Sequence, residues 1–107
     1  MPRNAPFYSL VDVRFAVLAK LIFIEPKALT QSRELGYSLE AVLKILKNLD
    51  VKHYHKTYDY PERGFPLDAY RIKTANEHGQ TDDIYIKFAL RGVGKNRVLV
   101  VSFHLTN

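Results

Sequence analysis

The chain has 107 residues, 47% of them hydrophobic, which is enough for one domain with one core and too few for two. Sixteen Lys and Arg against eleven Asp and Glu leave a net charge of +5, a balance that favours polyanionic partners. The absence of Cys excludes disulfides and thiolate metal sites and fits a cytoplasmic protein.

The first half reads as helical. Ser9 is placed to cap SLVDVRFAVLAK, whose Leu10, Val13, Val17 and Leu21 fall on one helical face. The run FAVLAKLIFI at 15 to 24 is split by Lys20 and preceded by Asp12 and Arg14, and it falls short of the roughly 20 apolar residues a membrane span needs, so no membrane partner is expected. LIFI turns extended, and Pro26 opens a short helix, PKALTQSRELG, closed by Gly36. Ser38 then caps SLEAVLKILKNL. Here Leu39, Val42, Leu43, Leu46 and Leu49 form a core stripe, while Glu40, Lys44 and Lys47 face water.

From residue 51 the hydrophobic period changes from 3.6 to 2. HYHKTYDY at 53 to 60, AYRIKTA at 69 to 75, IYIKFALR at 84 to 91 and RVLVVSFHL at 97 to 105 predict four strands. Between them lie PERGFPLD, NEHGQTDD and GVGKN, each rich in turn formers. GVGKN lacks the spacing of a phosphate-binding loop and joins two strands, so it is a hairpin turn. The expected class is α+β: N-terminal helices packed on one face of an antiparallel, largely meander sheet, in a single domain over residues 1 to 107.

Alternation then says which side chains share the open face. Ile84, Ile86, Phe88 and Leu90 point inward, as do Leu99, Val101, Phe103 and Leu105, which leaves Tyr85, Lys87, Ser102 and His104 outward. With Tyr70 and Ile72 inward, Arg71 and Lys73 join that face, and the hairpin sets Tyr85 opposite His104 or Ser102. In HYHKTYDY either Tyr54, Lys56, Tyr58 and Tyr60 or His53, His55, Thr57 and Asp59 could face the core. Either Lys56 or His55 therefore edges the open face.

A surface of cations, a phenol and an imidazole, with no carboxylate expected on it, suits a phosphodiester, and aromatics between cations can stack bases. A ribonuclease working without metal needs a base for the 2′-hydroxyl, positive charge around the phosphorane and an acid for the departing 5′-oxygen. The histidine side chain, with an intrinsic pKa of about 6.5, makes His104 the natural acid or base. Neighbouring cations are expected to lower the Tyr85 phenol or the Lys56 amine from about 10. His53 and His55 are two apart, but no HExxH-type spacing accompanies them, so neither metal nor cofactor is expected. A second class stays open on the residues alone. RELGYSLEAVLKIL at 33 to 46 resembles the helix pair of winged-helix regulators, in particular the MerR family, although Glu40, Lys44 and Lys47 are poor base readers.

KAL at 27 to 29, ELGYS at 34 to 38, HKTYDY at 55 to 60, DAYR at 68 to 71, IYIK at 84 to 87 and VSFH at 101 to 104 together resemble the MqsR family of bacterial toxins, from about Leu10 to Phe103. The resemblance implies a RelE-like fold and a toxin of a type II toxin-antitoxin module. It also implies an mRNA interferase, an endoribonuclease cutting single-stranded mRNA by general acid-base chemistry, and a cognate antitoxin as partner. The family's catalytic lysine falls on Lys56 and its catalytic tyrosine on Tyr85. A second family lysine is His104 here, which keeps a protonatable group, and the tyrosine before Lys56 is His55. The glutamine preceding the family's DVY is Leu67, which cannot donate hydrogen bonds, so the family's preference for GC-containing sites does not follow. Residues and resemblance together point to Lys56, Tyr85 and His104 as catalytic, with Arg71, Lys73, Lys87 and His55 holding the RNA. With Lys56 turned to the open face, His53 and His55 are expected on the strand's other side. A homologue that binds nucleic acid without cutting it is the alternative.

Overall fold

The computed structural model describes residues 5–106. Helices α1 (Leu10–Leu18), α2 (Pro26–Glu34) and α3 (Leu39–Lys47) pack against a sheet of β1 (Ile22–Ile24), β2 (Tyr54–Tyr60), β3 (Phe65–Ala75), β4 (Thr81–Arg91) and β5 (Arg97–Leu105). The strand order is β1-β5-β4-β3-β2: the expected antiparallel meander, with the short β1 added parallel to β5. The class is α+β with the helices ahead of the meander, as expected. Among the described residues no helix is long and apolar enough to cross a membrane.

The helices begin where the sequence offers caps. Ser9 Oγ accepts from the Asp12 amide at 3.4 Å and Ser38 Oγ from the Ala41 amide at 3.2 Å, which satisfies donors the first helical turn leaves unpaired. α2 has no side-chain cap; Pro26 supplies a preset φ instead, and Glu25 before it is gripped by both Arg63 nitrogens at 2.9 and 3.0 Å. Gly36 ends the segment at a φ of +83°, where a Cβ would be strained.

In α3 the buried side chains are Val42, Leu43, Ile45 and Leu46, followed by Leu49. Leu39, expected in that stripe, is 52% exposed, because the first turn borders an open groove beside Phe23; Ile45 lies in the core instead. Each aliphatic side chain fully buried here contributes about 1.5–3 kcal/mol.

The turns are tighter than their composition indicates, because β3 starts at Phe65 and β4 at Thr81. Pro66 is tolerated within a strand because ladder pairing of β3 to β4 begins only at Asp68. Asp68 itself is fully buried, and three donors offset the loss of water: the amides of Phe7 at 3.1 Å and Tyr8 at 2.9 Å, and the Thr57 hydroxyl at 2.6 Å. That carboxylate ties the segment before α1 to the sheet.

Alternation fails in one half of β5. Phe103 keeps the inward face and Leu105, opposite Ile84, is 40% exposed; Val98 and Val100 line the core opposite Leu90 and Phe88, while Leu99 is only partly buried and Val101 is buried as well. The cause is a β-bulge: Ser102 pairs with Lys87 and Val100 with Phe88, which leaves Val101 as an extra residue.

Candidate functional site

On the face of the sheet away from the helices, the register lays the polar side chains out in rows. Arg71 of β3, Tyr85 of β4 and His104 of β5 stand in one row, each directly opposite the next. The next row holds Lys56, Ala69, Lys87 and Ser102. On the other side Lys73 stands opposite Asp83. The hairpin between β4 and β5 falls in GVGKN as expected, and of the two pairings considered for Tyr85 it selects His104.

β2 joins these rows through a second bulge. Tyr54 pairs with Tyr70 on the core face and Lys56 with Ala69 on the open face, so His55 is the extra residue between them. Its ring reaches the open face, with its centroid 6.2 Å from that of Tyr85. The expectation that both histidines lie on the strand's other side is therefore corrected for His55. His53 sits in the preceding 3-10 turn, where Nδ1 accepts from the Asp50 amide at 2.9 Å.

Tyr85 is the centre of the cluster. His104 stacks on it at 4.8 Å with the planes 17° apart, and His55 approaches from the β2 side. His104 Nδ1 lies 2.9 Å from the Leu105 carbonyl oxygen. A carbonyl only accepts, so Nδ1 carries the proton of that bond, and in the neutral ring Nε2 keeps its lone pair.

Burial, the hydrogen bond with Tyr58, and the phenols of Tyr58 and Tyr60 all hold the Tyr85 phenol above its ordinary value. This reverses the lowering expected from neighbouring cations, because a half-buried phenol among phenols gains more from staying neutral than from charges at its margin. At neutral pH Tyr85 is a hydrogen-bond donor.

Tyr58 and Tyr60 are members of the site that sequence reasoning did not single out. Their rings stack at 6.0 Å, and Lys56 Nζ lies 5.0 Å from the Tyr58 centroid. Lys87 Nζ lies 5.1 Å from the Tyr58 ring and 5.0 Å from that of Tyr60, and donates to the Tyr60 hydroxyl at 2.8 Å. The signal was present: once Lys56 is on the open face, a period of two brings Tyr58 and Tyr60 with it. Asp83 corrects the expectation of a face without carboxylate; β4 begins three residues before the predicted strand and carries it in. Arg71 and Lys73 are exposed, whereas Lys87 is half-buried. Leu67 is fully buried at the base of a cleft of about 250 Å³ bordered by Tyr60, Arg63, Lys87 and Ser102. Among the described residues no three His, Cys, Asp or Glu side chains converge as metal ligands.

A family described as motility quorum-sensing regulator, toxin of MqsA, matches residues 5–105 of the chain. No curated protein matches it.

Proposed function

This chain belongs to the MqsR toxin family, a toxin of a toxin-antitoxin system with an antitoxin as partner, and from that premise we propose that it is a metal-independent endoribonuclease of single-stranded mRNA. One observation carries the reading: Tyr85 and His104, paired across β4 and β5, stack at 4.8 Å in a row that Arg71 extends. A phenol, an imidazole and a guanidinium at that spacing can address one phosphate together.

In the proposed reaction the 2′-oxygen attacks phosphorus as its proton passes to a base, and the bond from phosphorus to the 5′-oxygen breaks as that oxygen takes a proton. The products are a 2′,3′-cyclic phosphate and a 5′-hydroxyl. His104, whose Nδ1 is engaged by the Leu105 carbonyl so that the neutral ring offers Nε2, is suited to be the base. Tyr85, neutral at working pH, donates to a phosphoryl oxygen as charge develops there. Lys56, resting on the Tyr58 ring, brings positive charge to the phosphorane, while Arg71, Lys73 and Lys87 hold the backbone on either side.

The test is digestion of end-labelled mRNA in excess EDTA by wild type, Lys56→Ala, Tyr85→Phe and His104→Ala. Wild type is expected to give discrete cuts, and loss of an acid-base group slows them by about 10²–10⁴-fold. Salt-sensitive binding of RNA with no cut in any sample would instead mark an inactive homologue. Buried Leu67, with no donor where the family has a glutamine, is the observation that favours that second reading.

A further inference from the structure

Resting on the ribonuclease reading, we infer that His55 is a catalytic residue, the general acid that protonates the departing 5′-oxygen, paired across Tyr85 with His104 as the base. The bulge in β2 decides where the His55 ring stands. A regular β2 would send His55 to the face opposite Lys56; the extra residue instead puts both on the open face, and the His55 ring reaches to 6.2 Å from Tyr85 two strands away. His104 lies on the other side of the same ring at 4.8 Å, because the sheet order sets β4 between β5 and the β3-β2 pair.

The two imidazoles therefore flank the phenol, and the two centroid distances limit their separation to about 11 Å; a phosphate carrying a hydrogen bond of about 2.8 Å on each apical oxygen fits within that span. In-line displacement demands this arrangement, since the attacking and leaving oxygens lie on opposite sides of phosphorus and each needs its own proton carrier. Tyr85, between the two rings, faces the non-bridging oxygens. Both histidines are exposed, so a strand of RNA can reach them. The proton balance closes: His104 gains the proton of the 2′-hydroxyl, His55 gives one to the 5′-oxygen, and exchange with water resets both.

The experiment uses two oligoribonucleotides spanning a cleavage position mapped in the EDTA digestion, identical except that one has sulfur in place of the bridging 5′-oxygen. A thiolate leaves without being protonated, so the sulfur substrate needs a base but no acid. His55→Gln is expected to cut the oxygen substrate about 10²–10⁴-fold more slowly than wild type and the sulfur substrate within about tenfold of it. His104→Ala is expected to lose both. Rescue by sulfur also shows that the His55→Gln protein is folded and binds RNA. Equal losses on the two substrates, or no loss on either, would overturn the role of His55 while leaving the ribonuclease reading intact; wild type that cuts neither would overturn that reading and this one with it.

Discussion

Tyr70→Phe is expected to stabilise the protein. Tyr70 is fully buried between sheet and helices, stacked on Phe88 at 5.4 Å with the planes 13° apart and edge-on to Tyr54 at 5.7 Å. Among the described residues its buried hydroxyl has no hydrogen-bond partner. A buried polar group left unpaired costs about 1–3 kcal/mol, and phenylalanine keeps every ring contact while removing that group. For a chain of this length the unfolding entropy makes 1 kcal/mol worth about 4 °C of Tm, so a rise of at least about 4 °C is expected. Burial first, then the charge of Asp68, then Tyr54, hold the Tyr70 phenol above its ordinary value, with Arg14 opposing. A phenol raised in the folded state contributes fully below about pH 10 and loses that contribution as the pH climbs toward the folded value. The advantage of Tyr70→Phe therefore widens above about pH 10, by at most about 1.4 kcal/mol for each further pH unit. Thermal and urea unfolding followed by circular dichroism at pH 7 and pH 11 measure both effects. A loss of more than about 1 kcal/mol at pH 7 would refute the reasoning, because it would mean that the hydroxyl has a partner worth keeping.

Two further outcomes follow from named contacts. Asp68→Ala removes the shared acceptor of the Phe7 and Tyr8 amides and the Thr57 hydroxyl and is expected to cost about 3 kcal/mol, read as a lower urea midpoint at unchanged slope; a change under about 1 kcal/mol would show that the segment before α1 does not depend on it. The Tyr85 phenol, followed by the shift of its Cζ carbon in tyrosine-labelled protein, is expected to stay neutral up to and beyond its ordinary value of 10.0, so that no limb of the pH-rate profile below that value belongs to it; titration below 10.0 would remove its assignment as a standing donor.

The fold was legible wherever one period held over a whole element. Ser9 and Ser38 announced two helices, Ile84, Ile86 and Phe88 the inward face of β4, and a hairpin in GVGKN, with the alternation of its flanking strands, was enough to bring Tyr85 near His104. The misses have a common physical origin in partners distant in sequence. Asp68 reads as a turn residue until Phe7, Tyr8 and Thr57 are seen to supply its hydrogen bonds. Leu39 reads as core because the helical period cannot say where the sheet ends. The Tyr85 phenol reads as lowered while only its cationic neighbours are counted; desolvation and Tyr58 appear only once the strands are laid side by side.

The bulges mattered most, since a strand's own alternation cannot reveal an extra residue that exists only relative to its neighbour. Both fall where the candidate site needs them. Alternation without the Val101 bulge would turn Val98 and Val100 out whenever Phe103 faces the core; with it, Val98, Val100 and Phe103 are all buried while His104 stands beside Tyr85. Alternation without the His55 bulge would give the open face Lys56 or His55; with it, Lys56 rests on Tyr58 and His55 reaches Tyr85. Each bulge thus relieves a conflict between filling the core and furnishing the face. The proposed acid and base stand on the two strands that carry these local breaks, flanking a phenol held by the regular pairing of β4 with β3.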